Sequence, residues 1–566
     1  DHRDLPSFPT RRSSDLEVVP PSPPVRSVGG RGWLIGLTLL ALVVLVAGGA
    51  ALFWALSDAV PEVKQDTWLR VPLAGRMEDA PAPPGLFVEP EDLPPTTPEI
   101  VAAIRHAATD ERIRGVLVEM DGAEAGMASW QAIRDALAEV RAAEKPCVVY
   151  QATVFTNADY WAATACDRVV MAPAAVLFVT GMAVELEYYK GLFDLIGVTP
   201  EFEHVGEFKS AIEAFERTGP SQPAMDAYDL LIDSLWGAVV SGIAEGRGVS
   251  TETVQGWIDQ PTLSPKAALE RGMIDALGWP DAVRAHVGEL AEEGWAAKLE
   301  AVVPAKTEEL DKRFTTLKSY LPSVRAAEQK GRQKVAVIVA EGQIVSGPAE
   351  PGLFGDDGLL TDGAFARWMK AAREDDDVKA VVVRVNSPGG SALAASAMLR
   401  EVERTRAAGK PVVISMGDLA ASGGYLMSTT ADRIFAEPTT ITGSIGVFGG
   451  KFALDGLMGK LGITTHTFRR GEQAALLSMA HPFTDAERAT FRAWLEEFYR
   501  VFVGQVAEGR KRSYEEIHAV AQGRVWTGTQ ALERGLVDEV GGLDDAIRAA
   551  TGDRKSTRLN SSHLVI

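Results

Sequence analysis

Short apolar runs without polar alternation recur along this chain, each next to a segment with helical spacing. Gly115–Met120 (GVLVEM), Pro146–Gln151 (PCVVYQ), Ala380–Val385 (AVVVRV) and Pro411–Met416 (PVVISM) place Val and Ile on consecutive positions. This is the pattern of strands covered on both faces, as in parallel sheets. A further strand is expected at Trp68–Leu73, and helical periodicity predicts helices near 98–109, 128–143, Phe365–Arg373 and Ala392–Ala408. Strands alternating with helices predict an α/β layer structure.

The longest apolar run, Trp33 to Leu56, has no charge and is long enough to cross a bilayer. Arg26 and Arg31 precede it, and Asp58 and Glu62 follow. The positive-inside rule then puts the N-terminus in the cytoplasm and the rest outside. Ala55-Leu56-Ser57 is weakly like a cleavage site, so a removed signal peptide is the competing reading; the length of the run favours a retained anchor.

The same pattern is written twice. Residues 410–436 align without a gap on residues 145–171 at an offset of 265, sharing Lys-Pro, a Tyr and Asp-Arg. Ala-Glu-Gly-Arg at 244–247 and 507–510, and Ala-Leu-Glu-Arg-Gly at 268–272 and 531–535, extend the match at an offset of 263. Such a period exceeds that of stacked solenoid repeats and indicates a tandem domain duplication. Two of the positions at which the copies differ stand out: Ser422 faces Asn157, and Lys209 faces Ala474. The expected organisation is a cytoplasmic tail 1–32, an anchor 33–56, an N-terminal repeat 58–300, a helical connector 301–333 and a C-terminal repeat 334–553. The ends 1–16 and 554–566 resemble translated sequencing-adapter tails and are expected to be non-native.

Composition narrows the function. The chain has 566 residues, a net charge of −20 and 46% hydrophobic residues. A face able to neutralise phosphates is not expected, so nucleic acid is not an expected partner. Cys147 and Cys166 read as buried free thiols, and no Cys/His cluster has metal-ligand spacing.

Ser422 lies in Ala421-Ser422-Gly423-Gly424-Tyr425, after a strand and before a helix expected at Gly424–Thr430. Adjacent glycines permit the sharp turn that presents a nucleophile, although a plain helix N-cap is the alternative. Asn386-Ser387-Pro388-Gly389-Gly390-Ser391 follows the strand ending at Val385, a turn whose N–H groups suit an oxyanion. The first copy has Asp121-Gly122-Ala123-Glu124-Ala125-Gly126 there, so folding does not require Pro-Gly-Gly. A serine nucleophile needs a base. His204, His466 and His481 are available, and Lys209 is the stronger candidate provided burial keeps it neutral.

Arg384 to Ser391, Ala421 to Tyr425, Thr442-Gly443-Ser444-Ile445-Gly446-Val447 and Gly523-Arg524-Val525-Trp526-Thr527-Gly528 together make the chain similar to the long, duplicated form of the signal peptide peptidase A (protease IV) family. The resemblance implies tandem Clp/crotonase-like α/β domains after one transmembrane helix. It also implies a serine endopeptidase with Ser422 as nucleophile, Lys209 as base and Ser444 holding the lysine. Gly389 and the Gly423 N–H would form the oxyanion hole, with Gly390 beside them. No cofactor or metal is implied. The implied substrates are signal-peptide remnants and other apolar peptides in extended form. The implied setting is a single-pass protein of the bacterial inner membrane with its catalytic domains on the periplasmic side, in a ring-like homo-oligomer for which a tetramer is the expected size. Two other functions compete: a crotonase-like acyl-CoA enzyme, because that fold hosts both chemistries, and a catalytically silent peptide-binding scaffold.

Overall fold

Two mainly parallel sheets, each built from one copy of the repeat, organise the computed structural model. It describes residues 63–81, 93–290, 292–303, 307–328, 334–348 and 358–552, with the backbone of 562–565. The run Trp33–Leu56 and residues 1–16 lie outside the described residues. In the first repeat, strand Thr67–Arg76, helix Thr97–Thr109, strand Ile113–Glu124, helix Met127–Ala142 and strand Cys147–Gln151 follow one another. The second repeats the order with Lys334–Glu341, Asp362–Glu374, Val378–Ser387, Ala392–Ala407 and Val412–Ala421. Every strand anticipated from the apolar runs is present and parallel to its neighbour. Parallel neighbours need a crossover, and the helices supply it. The helix starts carry the expected chemistry: Thr96 and Glu99 form a capping box, and Thr361 caps its helix through Ala364 N–H.

The first sheet has the spatial order Ala276–Leu277, Arg168–Met171, Cys147–Gln151, Ile113–Glu124, Thr67–Arg76, Phe314–Thr316. That last strand and the following helix, Leu317–Glu328, fall within the stretch 301–333 and pack on the first repeat. The second sheet runs Val525–Thr527, Ile441–Gly443, Val412–Ala421, Val378–Ser387, Lys334–Glu341, Ser562–Val565. Its last member, 562–565, pairs in parallel with 334–337 and covers an otherwise open strand edge. The expectation for the cysteines is corrected. Cys147, at a strand start, and Cys166, in the turn after helix Asn157–Ala163, are buried and joined as a disulfide with Cα atoms 4.8 Å apart. Spacing along the sequence could not show that the turn folds back onto the strand.

The two repeats belong to one compact unit, 61–566. A strand from the first, Thr199–Val205, pairs antiparallel with Val447–Ala453 of the second. Ion pairs across this seam join Arg488 to Glu201 and Glu203, and Phe193, Phe202, Phe215 and Phe452 pack around it. Among the described residues one helix, Gln222–Arg247, is long and apolar enough to cross a membrane; here it also bridges the repeats, with Ser234 Oγ 2.9 Å from Thr527 Oγ1.

Candidate active site

Strand Val412–Ala421 ends directly at Ser422, whose backbone is held at φ 53°, ψ −114°. A non-glycine residue in that region stores strain and is retained where its surroundings over-determine it. Ser422 N–H donates to Gly443 O (2.9 Å), and its own carbonyl accepts from Leu426 N–H at the end of helix Gly423–Leu426. The helix begins one residue earlier than expected and is a single turn. Ser444, the next residue after Gly443, also has positive φ, 51°.

Lys209 arrives from the other repeat. Strand Thr199–Val205 leads into Gly206, at φ 116°, and Lys209 N–H donates to Gly206 O (3.1 Å). The loop is docked on the second repeat, with Phe208 N–H donating to Gln522 O (2.8 Å). Gly523 is required for this approach: a Cβ there would lie 2.6 Å from Lys209 Cβ, and its φ is +80°. Gly523 opens the Gly-Arg-Val-Trp-Thr-Gly stretch, so that motif has a physical role that sequence reading alone did not supply.

The lysine amine contacts three oxygens: Ser444 Oγ at 2.8 Å, Ser444 O at 3.2 Å and Ser422 Oγ at 3.3 Å. Lys209 is 7% exposed. Burial without a neighbouring carboxylate disfavours its charged form and pushes its pKa down to about 8. A neutral amine has two N–H groups and one lone pair. The Ser444 oxygens can take both N–H groups, which leaves the lone pair for the Ser422 hydroxyl. None of His204, His466 and His481 hydrogen-bonds to Ser422 among the described contacts.

The glycines divide differently from expectation. Gly389 N–H donates to Ser387 Oγ (3.1 Å) and its carbonyl accepts from Ile344 N–H (2.8 Å), so its backbone is already engaged. Its lack of a side chain is what the site uses, because a Cβ would stand 2.5 Å from Gly423 N and 2.9 Å from Ser422 Cβ. Gly390 and Gly423 N–H have no partner among the described hydrogen bonds, and a Cβ on Gly423 would lie 3.3 Å from Gly390 N. The two free donors beside the serine are therefore those of Gly390 and Gly423, and Gly389 is the spacer.

In the first repeat the matching position is closed. Asn157 Nδ2 donates to Gly181 O (2.8 Å), while its Oδ1 accepts from Thr180 and Gly181 N–H. Ala474, which matches Lys209, is exposed. No group of His, Cys, Asp and Glu that could hold a metal occurs among the described residues.

The sequence pattern of Peptidase family S49 matches residues 139–293 and again 404–557, so the repeat is a repeat of that domain. The chain is 34% identical to Protease 4 of Salmonella typhi over 461 residues, which is 80% of this chain and 71% of that one. It is 30% identical to Protease 4 of Haemophilus influenzae over 467 residues, 80% and 72% of the two chains. It is 31% identical to the chloroplastic serine protease SPPA of Arabidopsis thaliana over 458 residues, covering 80% of this chain and 65% of the relative.

Proposed function

Because the chain belongs to Peptidase family S49 and is a serine protease, we propose that it cleaves peptide bonds with a Ser422/Lys209 dyad assembled from both repeats. Neutral Lys209 takes the Ser422 proton as the oxygen attacks the peptide carbonyl. The N–H groups of Gly390 and Gly423 hold the oxyanion, the kind of contact whose loss typically costs about 3 kcal/mol of barrier. Protonated Lys209 gives its proton to the leaving amine, and the C–N bond breaks. Water then attacks the acyl-serine with Lys209 again as base, releasing the acid and regenerating the hydroxyl. Ser444 orients the amine throughout. The observation that carries this reading is the Lys209 amine 3.3 Å from Ser422 Oγ, gripped by both oxygens of Ser444.

The wider reading follows the family. We take residues 58–300 and 334–553 as Clp/crotonase-like domains, Trp33–Leu56 as a single anchor with the N-terminus in the cytoplasm, and extended apolar peptides, including signal-peptide remnants, as substrates at the outer face of the bacterial inner membrane. A closed homo-oligomer is supported by unused halves of the seam. Strand Thr199–Val205 and its receiver Val447–Ala453 match residues 464–470 and 182–188, which form no strand. These carry exposed Phe468 (88%) and Val184 (51%). Joining one copy head to tail with the next satisfies both halves.

The test is labelling with a fluorophosphonate and hydrolysis of an apolar peptide. Labelling is expected in the parent and lost in Ser422→Ala, with hydrolysis lost in Lys209→Ala. Undiminished hydrolysis in both variants would overturn the dyad.

A further inference from the structure

Below the serine and the oxyanion turn lies a second contribution of the first repeat that the dyad does not use. Strand Val378–Ser387 runs into the Pro-Gly-Gly turn, and strand Val412–Ala421 runs into Ser422. Arg384, on the first of these, is 2% exposed, and its guanidinium binds the second: Nη1 donates to Ser415 Oγ (3.1 Å) and Met416 O (3.0 Å). Its charge is answered from the other repeat. Nε donates to Asp79 Oδ2 (2.8 Å) and Nη2 to Asp79 Oδ1 (3.4 Å), with Asp79 3% exposed. Gly417 leaves room for the carboxylate, since a Cβ there would stand 2.8 Å from Asp79 Oδ2.

Two more ties reach the same place. Ala80 N–H donates to Glu341, Glu341 accepts from Asn386 Nδ2, and Asn386 Oδ1 accepts from Leu419 N–H. Asp418 accepts from Ser129 N–H (2.8 Å) and Ser129 Oγ (2.6 Å) in the first turn of helix Met127–Ala142. Gly126 allows this, because a Cβ would lie 2.2 Å from the Asp418 carboxyl carbon. All three ties end on residues 384–386 or 416–419, a few positions before the turn and the nucleophile. The first repeat has no counterpart: Glu119 stands where Arg384 does and pairs within its own repeat with Arg70 and Arg284.

We propose that Asp79, through Arg384, is a positioning residue that sets the oxyanion turn against Ser422, with Ser129 acting in the same way through Asp418. The first repeat thus supplies alignment from one side and the base from the other. A buried guanidinium left without its carboxylate is strongly disfavoured and must find other partners. The two strands it joins then lose their mutual register, and small misplacements of reacting groups cost large factors in rate.

This rests on the dyad reading, and the experiment separates the two. Fluorophosphonate titration counts active sites in the full-length parent, Asp79→Asn and Ser129→Ala, and turnover of a peptide p-nitroanilide is divided by that count. Per-site kcat is expected to fall at least tenfold in Asp79→Asn and about threefold in Ser129→Ala. KM should stay within twofold, and the rising limb of the pH profile should not move, since neither residue touches Lys209. Parent-level per-site turnover in both variants, with only the melting temperature or the count of sites reduced, would overturn the proposal and leave a structural role. Should Asp79→Asn fail to fold, Ser129→Ala carries the test alone, because it removes one hydroxyl. A parent that is not labelled at Ser422 would defeat the dyad reading instead.

Discussion

Lys209 shows how the burial that makes an amine a base also costs stability. Its pKa of about 8 lies below that of a lysine in the unfolded chain, about 10.4. Below about pH 8 both states hold the proton, and the penalty stands in full at roughly 3 kcal/mol. Between about 8 and 10.4 the unfolded chain binds the extra proton, so this residue's contribution to stability rises with pH. Hydrolysis should likewise rise with pH to a half-maximum near about 8, as a kcat/KM profile will read. Lys209→Met should be inactive yet more stable at pH 7 by about 2 kcal/mol. Urea unfolding at pH 7 and pH 10 should show that gain shrinking at the higher pH. The two serines that touch the amine, Ser422 and Ser444, are both at positive φ. That strain had no mark in the sequence, because serine is an ordinary residue in a loop.

At the scale of elements, the lysine is placed by a strand and a loop that meet the second repeat at glycines. A Cβ on Gly450 would stand 2.2 Å from Glu201 O in the lysine strand, and one on Gly523 would meet Lys209 itself. Gly523→Ala is therefore expected to leave the circular dichroism spectrum unchanged and lower hydrolysis about a hundredfold, with fluorophosphonate labelling slowed in parallel. The expected strands and helices of both repeats formed within a few residues of their predicted ends, because consecutive Val and Ile on a doubly covered strand is a local pattern. The strand Thr199–Val205 was not among them. It reads Thr-Pro-Glu-Phe-Glu-His-Val and becomes a strand only against Val447–Ala453.

At the scale of the whole molecule, the duplicated halves have diverged in what holds them. The disulfide Cys147–Cys166 belongs to the first repeat alone; at the offset of 265 the second has Val412 and Ala431. Replacing the pair by Cys147→Val with Cys166→Ala should lower stability by about 3 kcal/mol in the chain-entropy account. Reductant should then no longer change the melting temperature. The unused halves of the seam give a second expectation. Phe468→Asp should shift the sedimenting species from a closed oligomer to smaller forms, with Ser422 labelling retained if the dyad lies within one chain.

The sequence by itself determined the duplication, the α/β character of each copy and the residues that differ between them. These are local or self-similar properties, legible from side-chain order. It also singled out Ser422, Lys209 and Ser444, through short motifs whose resemblance to a protease family carried their roles. Only the tertiary structure decided that Lys209 lies beside Ser422, that Gly390 rather than Gly389 keeps a free N–H, and that Asp79 reaches Arg384. Each of these depends on a contact across 213 or 305 residues of chain or on the direction of one peptide plane, and neither is encoded in the order of neighbouring side chains.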